Sequence, residues 1–348
     1  MAPLFYFRRH AWMKESTPVT RSMRNACAWL ATLLLCGATV AAPHRDAPQL
    51  AHIMARGTVR CGSVERPGLA EVDDHGQWRG LLVDVCRALA TATLGSAQRI
   101  EYVTYESPAD FDRIRRHVDD VYFLTGRELM VHDLFGAVVP GPTVFVESDR
   151  VMVPASSPVN HASDLNGMGV CFLIGSTAEE SLSAQLGYPG QSWFAHAYSE
   201  QGEMEDAFAV QRCHAIAAES TTLAHVRLLD APAKLHGRIL AEPLQAFPIV
   251  ASTPLADGRW SAIVAWTVVT LIDAERPAND WFAGGARAMP VDAALGLRSD
   301  WQSRVLAAVG HYGQMFARSL GEDSAYHLER GLNALQAQGG VLLAPFVE

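Results

Sequence analysis

The sequence predicts an α/β protein with two lobes, and three observations support this. Stretches typical of strands and helices alternate, the alternation restarts after residue 154, and from Trp260 onward the chain is mostly helical. Alternation of this kind is typical of parallel sheets covered by helices. The length of 348 residues, 49% of them hydrophobic, also favours two lobes over one.

The first alternating segment contains three predicted strands, "GTVRCGSV", "RIEYVTY" and "VDDVYFL". Two predicted helices, "LLVDVCRALATATLG" and "PADFDRIRRH", lie between them. The longer helix places Leu81, Leu82, Val85, Leu89 and Ala92 roughly on one face, which is the spacing of a helix that packs against a sheet.

The second alternating segment predicts strands at "GVCFLIG", "QSWFAHAY" and "CHAIAAES", with helices at "TAEESLSAQLG" and "GEMEDAFAVQR". Three helical stretches follow: "RWSAIVAWTVVTLIDAE", "WQSRVLAAVGHYGQMFARSLG" and "HLERGLNALQAQ". Two α/β lobes with a helical return segment suggest a clamp. Its ligand is expected at the carboxyl ends of the strands.

The charge pattern excludes some partners. The net charge is −9, from 28 basic and 37 acidic residues, which argues against nucleic acid because such a partner needs a clustered basic face. The thirteen histidines are scattered and show neither His-x3-His nor HExxH spacing. The sequence therefore predicts neither a metal site nor a cofactor.

Residues 1–42 are predicted to be a signal peptide. The apolar run "ACAWLATLLLCGATVAA" follows Arg21 and Arg24 and ends in small residues, and it is short for a membrane span. A long polar stretch precedes it, so Met13 or Met23 is an alternative start. A lipoprotein anchored at Cys36 is a further alternative, disfavoured by the bulky residue before that cysteine. The expected location is the periplasm.

Cysteine usage agrees with export. Two of the six cysteines lie in the signal segment, and an even set of four remains: Cys61, Cys86, Cys171 and Cys213. An even set in an oxidising compartment predicts disulfides, although the sequence leaves three connectivities open. No CxxC pair is present, which argues against zinc or thioredoxin chemistry.

The stretch "GMGVCFLIGSTAEESL", residues 167–182, predicts a strand end, a tight turn and a helix start. Ser176 and Glu179 have the spacing of a capping box. Free N–H groups at such a start attract anions, but the Gly-x4-Gly-Lys-Ser/Thr pattern of a phosphate loop is absent. Which anion the turn binds is therefore a central question.

Several stretches together resemble a known family. They are "GQWRGLLVDVCRALATATLG", "RVMVPASSPVNHASDLNGMGVCFLIGSTAEESL", "QRCHAIAAESTTLAHVRLL" and, most specifically, "AVGHYGQMFARSLGEDSAYHLERGLNALQAQGGVLLAPF". Over residues 50–346 the chain resembles the periplasmic solute-binding proteins of polar amino-acid ABC transporters (solute-binding protein family 3). Within that family the general L-amino-acid branch is the most similar.

The resemblance implies a type II periplasmic-binding-protein fold. Lobe 1 would comprise residues 43–150 and 249–348, with the C-terminal helices returning to it, and lobe 2 residues 151–248. Two hinge strands would lie near "DRVMVP" and "AFPIVAS". The resemblance also implies one disulfide in each lobe, Cys61–Cys86 and Cys171–Cys213.

The resemblance implies a ligand site as well. Family members bind the α-carboxylate with an arginine of lobe 1 and a Gly-Ser/Thr-Thr turn of lobe 2, and an aspartate binds the ammonium. Gly175, Ser176 and Thr177 match the turn, and Glu219 stands at the aspartate. In lobe 1 the sequence departs from the family, because an alignment without gaps places His132 at the arginine.

Alternative interpretations of these residues stay open. Arg127 supplies the missing charge if its loop shifts register, or else pairs with Glu128, Asp133 or solvent. His132 supplies a charge only when protonated. Ser176 and Thr177 are also compatible with a plain helix cap, and Glu219 with a salt-bridged surface carboxylate.

Three functions are compatible with these residues. The first is a non-enzymatic, monomeric binder of an amino acid or related small carboxylate, delivering it to an ABC permease. The second is a diverged binding domain with a sensory or regulatory role or an unusual ligand, motivated by the altered anchor in lobe 1. The third is an enzyme resembling cyclohexadienyl dehydratases, for which the expected cationic cluster and general acid are not recognisable.

Overall fold

A computed structural model shows that the protein is built on one large mixed sheet. The structure describes residues 48–187, 192–229, 237–255, 257–276 and 291–343. The strands in these residues are β1 (Val59–Ser63), β2 (Glu71–Val72), β3 (Trp78–Arg79), β4 (Ile100–Thr104), β5 (Val121–Thr125), β6 (Val138–Val139), β7 (Thr143–Val153), β8 (Gly169–Leu173), β9 (Phe194–Tyr198), β10 (Ala215–Glu219), β11 (Arg238–Ile239) and β12 (Gln245–Pro254).

The main sheet has the strand order β4-β1-β5-β12-β7-β10-β8-β9, and β6 and β11 pair with the sides of β12 and β7. Strands β4, β1 and β5 are parallel to one another, as are β10, β8 and β9. Between these groups, the long strands β7 and β12 pair antiparallel to each other. They contain the two predicted hinge segments and connect the groups, which we call lobe 1 (β4, β1 and β5) and lobe 2 (β10, β8 and β9).

Helices cover the sheet. They are α1 (Pro48–Arg56), α2 (Leu81–Leu94), α3 (Pro108–Arg115), α4 (Gly126–Val131), α5 (Thr177–Leu186), α6 (Gln201–Ala209), α7 (Ser220–Leu229), α8 (Gly258–Asp273), α9 (Val291–Leu295), α10 (Trp301–Val309) and α11 (Tyr312–Ser319). Each lobe is therefore built from alternating strands and helices, and the predicted two-lobed α/β fold is confirmed.

Alternation along the strands buries apolar side chains on both faces of the sheet. In β5, Val121 and Phe123 join a core with α2 and α8, whereas Tyr122 and Leu124 join a second core on the opposite face. Burial on both faces is expected for parallel strands covered by helices. Helix α2 contacts α8, α10 and α11, so it is buried nearly all round rather than on one face.

The C-terminal helices return to lobe 1, and a polar cap fixes the start of α8. Asp257 accepts hydrogen bonds from the backbone N–H groups of Arg259 and Trp260, at 3.1 and 3.0 Å. The fully buried Trp260 then donates its indole N–H to the Asp120 carbonyl at 2.7 Å. The cap and the indole bond together attach the return segment to the sheet.

Two predicted helices of this segment were wrong in extent. The run 301–321 is broken at Gly310, whose φ of +75° lies in the left-handed region that glycine adopts without strain. The run 327–338 forms only short 3₁₀ turns, Gly331–Asn333 and Gln336–Gln338. Asn333 there accepts a bond from the Val146 N–H (2.7 Å) and donates one to its carbonyl (2.9 Å), and this pairing with β7 replaces a helical turn.

The four cysteines outside the signal segment lie in two bonded pairs. Cys61 pairs with Cys86 across a Cα distance of 6.2 Å, and Cys171 with Cys213 across 5.8 Å. These are the pairs that the resemblance implied, one in each lobe. The predicted signal peptide, residues 1–42, lies outside the described residues. Within the described ranges, no helix has the length and apolarity to cross a membrane.

Candidate functional site

A cleft of about 990 Å³ opens where the lobes meet. The segments after β1, β5 and β8 and the end of β10 line it, together with Gln245, Phe247 and Pro248 of β12. This is the position expected for a ligand in an open α/β sheet, outside the carboxyl ends of the strands. All six predicted ligand residues line the cleft: Arg127, His132, Gly175, Ser176, Thr177 and Glu219.

The turn before α5 already binds a carboxylate of the protein itself, that of Glu179. Gly175 has a φ of +73°, and its N–H donates to the Glu179 carboxylate at 2.7 Å. The Ser176 hydroxyl accepts from the Glu179 N–H at 3.3 Å, so Ser176 caps the helix. In the expected capping box the Glu179 carboxylate would accept the Ser176 N–H, but here it accepts the Gly175 N–H instead. Glu179 therefore occupies part of the anion position that the sequence predicted.

Thr177 is directed toward the hinge. Its hydroxyl donates to Asp149 Oδ1 at 2.8 Å, and Ser181 donates to Asp149 Oδ2 at 2.7 Å. Burial raises the pKa of Asp149, while these two hydroxyl bonds oppose that shift. Thr177 thus stabilises a buried carboxylate on β7 as well as lining the cleft.

Arg127 lies at the mouth of the cleft and connects the lobes. It donates from Nη1 to Glu180 Oε1 at 2.7 Å and from Nη2 to the Gly175 carbonyl at 3.3 Å. Its side chain is 38% exposed and that of Glu180 61%, so solvent screens the pair. Arg127, which the sequence predicted as a possible ligand anchor, is therefore already paired with Glu180 at the mouth of the cleft.

His132 ends α4, and its ring stacks on Phe111 with ring centroids 3.5 Å apart and planes 10° from parallel. This packing fixes the imidazole against lobe 1. His132 lines the cleft, but the stack makes it a wall residue rather than the planar fork that an arginine would present.

The buried cation of the cleft is Arg66, which sequence reasoning missed. Its side chain is 7% exposed, and it donates to Glu128 Oε1 at 2.9 Å and to Glu219 Oε2 at 3.2 Å. Its Nη1 atom is buried and has no hydrogen-bond partner among the described residues. A buried donor left unpaired is costly, so this atom is a strong candidate to meet an oxygen of a ligand.

The two carboxylates beside Arg66 come from different lobes. Glu128 of lobe 1 also accepts the Thr125 N–H at 2.7 Å, which caps α4. Glu219 extends from the end of β10 in lobe 2, and its side chain is 24% exposed. Arg66 and Glu219 therefore form a second ion pair across the cleft.

A third carboxyl lies behind this pair. Glu147 on β7 is fully buried and accepts bonds from the Ser220 N–H and hydroxyl and from the Thr221 hydroxyl. Burial, assisted by the charge of Glu219, raises the pKa of Glu147 to about 7. Burial alone would lower the pKa of Arg66, but the surrounding carboxylates, Glu219 first, raise it well above its usual value.

The sequence contains only a weak signal for this arrangement. Arg66 stands in "VERPGL", directly after a strand, where an arginine is usually solvated. No group of three or more His, Cys, Asp or Glu side chains within the described ranges is arranged to bind a metal ion.

Comparison with known proteins places this geometry in a family context. No protein-family model matches the chain. Over 332 residues the chain is 27% identical to the general L-amino acid-binding periplasmic protein AapJ of Rhizobium johnstonii, covering 90% of this chain and 96% of that protein. It is also 27% identical to the glutamate/glutamine/aspartate/asparagine-binding protein BztA of Rhodobacter capsulatus, covering 88% and 96% of the two chains. Over nearly its whole length the chain is therefore similar to periplasmic amino-acid-binding proteins.

A solved structure agrees with this relationship. A periplasmic binding protein of an ABC transporter from Brucella ovis, with glutathione bound, matches at a TM-score of 0.71 and 25% identity, covering 85% of this chain and 98% of that one. The expected resemblance to solute-binding protein family 3 is thus confirmed. These solute-binding proteins are named as binders rather than enzymes, and the cleft described above lies between the two lobes of their shared fold.

Proposed function

We propose that this protein is an extracytoplasmic solute-binding protein that captures a small polar solute, most simply an amino acid, for an ABC importer. One observation carries the proposal: the buried Nη1 of Arg66 has no hydrogen-bond partner among the described residues, and it lies in an interlobe cleft beside carboxylates. A solute with an oxygen acceptor and an ammonium group would give the Arg66 donor its hydrogen bond and give the carboxylates a cation. The similar proteins AapJ and BztA are named as amino-acid-binding proteins, which supports an amino acid as the ligand.

Arg66 takes the anchoring role in this proposal. It approaches the solute from lobe 1, where His132 replaces the arginine of the family. Glu219 faces the same solute from lobe 2 and accepts a cationic group of it. Because Arg66–Glu219 and Arg127–Glu180 both cross the cleft, the solute enters and leaves when these pairs separate and the strands β7 and β12 bend.

The remaining parts of the proposal concern export and domain limits. Residues 1–42 act as a signal peptide that directs the protein to the periplasm. Residues 43–150 and 249–348 form lobe 1, and residues 151–248 form lobe 2. The mature chain works as a monomer and delivers its solute to the permease.

The test is a thermal-shift screen of the mature protein against amino acids and short peptides, followed by calorimetry. A solute present at a hundred times its dissociation constant should raise the free energy of unfolding by about 2.7 kcal/mol. Arg66→Met should weaken that binding at least tenfold. Arg238→Met is the matched control, because Arg238 donates to the Val159 carbonyl of lobe 2 and does not line the cleft. Binding that survives Arg66→Met unchanged would contradict the proposed anchor.

A further inference from the structure

The charges lining the cleft are unbalanced. Two guanidinium groups, Arg66 and Arg127, line it within the described ranges, against five carboxylates: Glu65, Glu71, Glu128, Glu180 and Glu219. The two histidines of the lining, His132 and His225, add positive charge only when protonated. A cleft with this excess attracts cations and repels anions.

The ion pairs near the cleft surface do not account for the excess of negative charge. Arg127 and Glu180 neutralise each other at the mouth. Glu71 pairs with Arg79 and accepts the Tyr326 hydroxyl. The imbalance that matters is therefore at the buried centre.

At the centre, one guanidinium faces several carboxylates. Arg66 pairs with both Glu128 and Glu219, so this centre carries one negative charge in excess, and the fully buried Glu147, whose pKa is raised by burial and by the charge of Glu219, lies behind it. Uncompensated charge is costly when water is excluded. A cation in the cleft compensates it, and Glu219, which keeps about a quarter of its side chain exposed, is the carboxylate placed to contact that cation.

The unpaired Nη1 of Arg66 adds a second requirement. This atom donates hydrogen bonds, so the solute must also present an oxygen acceptor. A neutral carbonyl oxygen satisfies the donor without adding negative charge to the cluster.

We propose that the cleft selects a solute of net positive charge, one that carries an ammonium or guanidinium group beyond its α-amino group together with a carbonyl or carboxylate oxygen. The inference rests on the proposed function and narrows it to cationic amino acids and their amides. An anionic solute such as glutamate or glutathione would be disfavoured.

The test is calorimetry of the mature protein at pH 7.5 with four probes: lysine, lysinamide, norleucine and glutamate. Norleucine keeps the α-groups and the carbon chain of lysine but lacks its ε-ammonium. Lysine should bind at least tenfold more tightly than norleucine, and lysinamide at least as tightly as lysine. Glutamate should bind weakest.

Variants connect this preference to Glu219. Glu219→Gln should reduce the ratio of lysine to norleucine affinity about tenfold, whereas Glu219→Asp, which keeps the charge, should preserve most of it. Glu203→Gln, an exposed position on α6 outside the cleft lining, is the control and should leave the ratio unchanged. The ligand series on the unmodified protein decides the question if Glu219→Gln does not fold.

The outcomes separate the two proposals. Norleucine binding as tightly as lysine, or glutamate binding more tightly than either, overturns the charge preference and leaves the proposed function intact. Failure of every amino acid and peptide to bind overturns both.

Discussion

The buried carboxyl of Glu147 on β7 should make the stability of the protein depend on pH. Its pKa is raised from 4.5 to about 7 by burial and by Glu219, against the opposing effect of its hydrogen bonds. The stabilising effect of the buried, protonated form is complete below pH 4.5, where the unfolded chain is protonated as well. It is lost as the pH rises through about 7, because only the unfolded chain ionises freely over that interval.

The magnitude follows from the two pKa values. Between pH 5 and pH 8, a carboxyl with a pKa of 4.5 unfolded and about 7 folded lowers the free energy of unfolding by about 2–3 kcal/mol. Glu147→Gln removes this ionisation and keeps an oxygen acceptor for the Ser220 donors. Relative to the unmodified protein, the variant should therefore gain about 2 kcal/mol of stability on going from pH 5 to pH 8.

The measurement is urea unfolding at pH 5 and pH 8, followed by tryptophan fluorescence and by circular dichroism. Trp193, Trp260 and Trp301 are fully buried and report on both lobes. Coincident transitions by the two probes justify a two-state treatment. Glu203→Gln is the control, because it makes the same substitution at an exposed position on α6, away from β7.

A parallel pH response in Glu147→Gln and the unmodified protein, within about 0.5 kcal/mol, would refute the reasoning. It would mean that Glu147 is already ionised in the folded protein at pH 5. The hydroxyl and backbone donors would then outweigh burial and the charge of Glu219.

Three other predictions concern the fold and the turn. Replacing Cys171 and Cys213 together by serine should lower the free energy of unfolding by about 4 kcal/mol, because their bond spans 42 residues; a loss below about 1 kcal/mol in denaturant titrations would contradict this entropic argument. Asp257→Ala should cost about 1–2 kcal/mol in the same assay because it removes the cap of α8, whereas Asp257→Asn should retain most of the stability. Thr177→Ala should cost about 1–3 kcal/mol because buried Asp149 loses a donor, and Thr177→Ser should restore it. Equal losses in both Thr177 variants would exclude the hydroxyl as the cause.

Under the proposed function, the altered anchor in lobe 1 changes how this cleft would recognise a solute. In the family pattern an arginine in a Thr-rich segment meets the carboxylate. The alignment without gaps puts His132 at that position, where its ring stacks on Phe111, and the buried guanidinium of the cleft belongs to Arg66, on the segment after β1. Because Arg66 is shared between Glu128 and Glu219, only its Nη1 is without a partner in the described part of the chain, so it offers a solute one nitrogen rather than a whole fork. Because Arg66 offers a single donor, we expect solute recognition to depend on Glu128 and Glu219 as much as on Arg66.

The sequence by itself determined the features that depend on local periodicity and turn chemistry. The alternating strands and helices, the buried set on α2 and the cap at Ser176 all follow from neighbouring residues in the chain. The alignment to a family implied the cysteine pairs and the set of residues around the cleft. Such features are predictable because each satisfies a requirement of its own segment, such as an apolar face or an unpaired N–H group.

Tertiary structure alone decided the partners of the charged groups. Arg66 and Glu219 are 153 residues apart and meet only when β1 and β10 lie in adjoining lobes. Glu147 acquires its raised pKa from burial in the hinge, and Asn333 pairs with β7 instead of continuing a helix. The physical reason is that burial and charge pairing depend on distances through space, and long side chains such as arginine and glutamate have no periodic signature that reveals their partners.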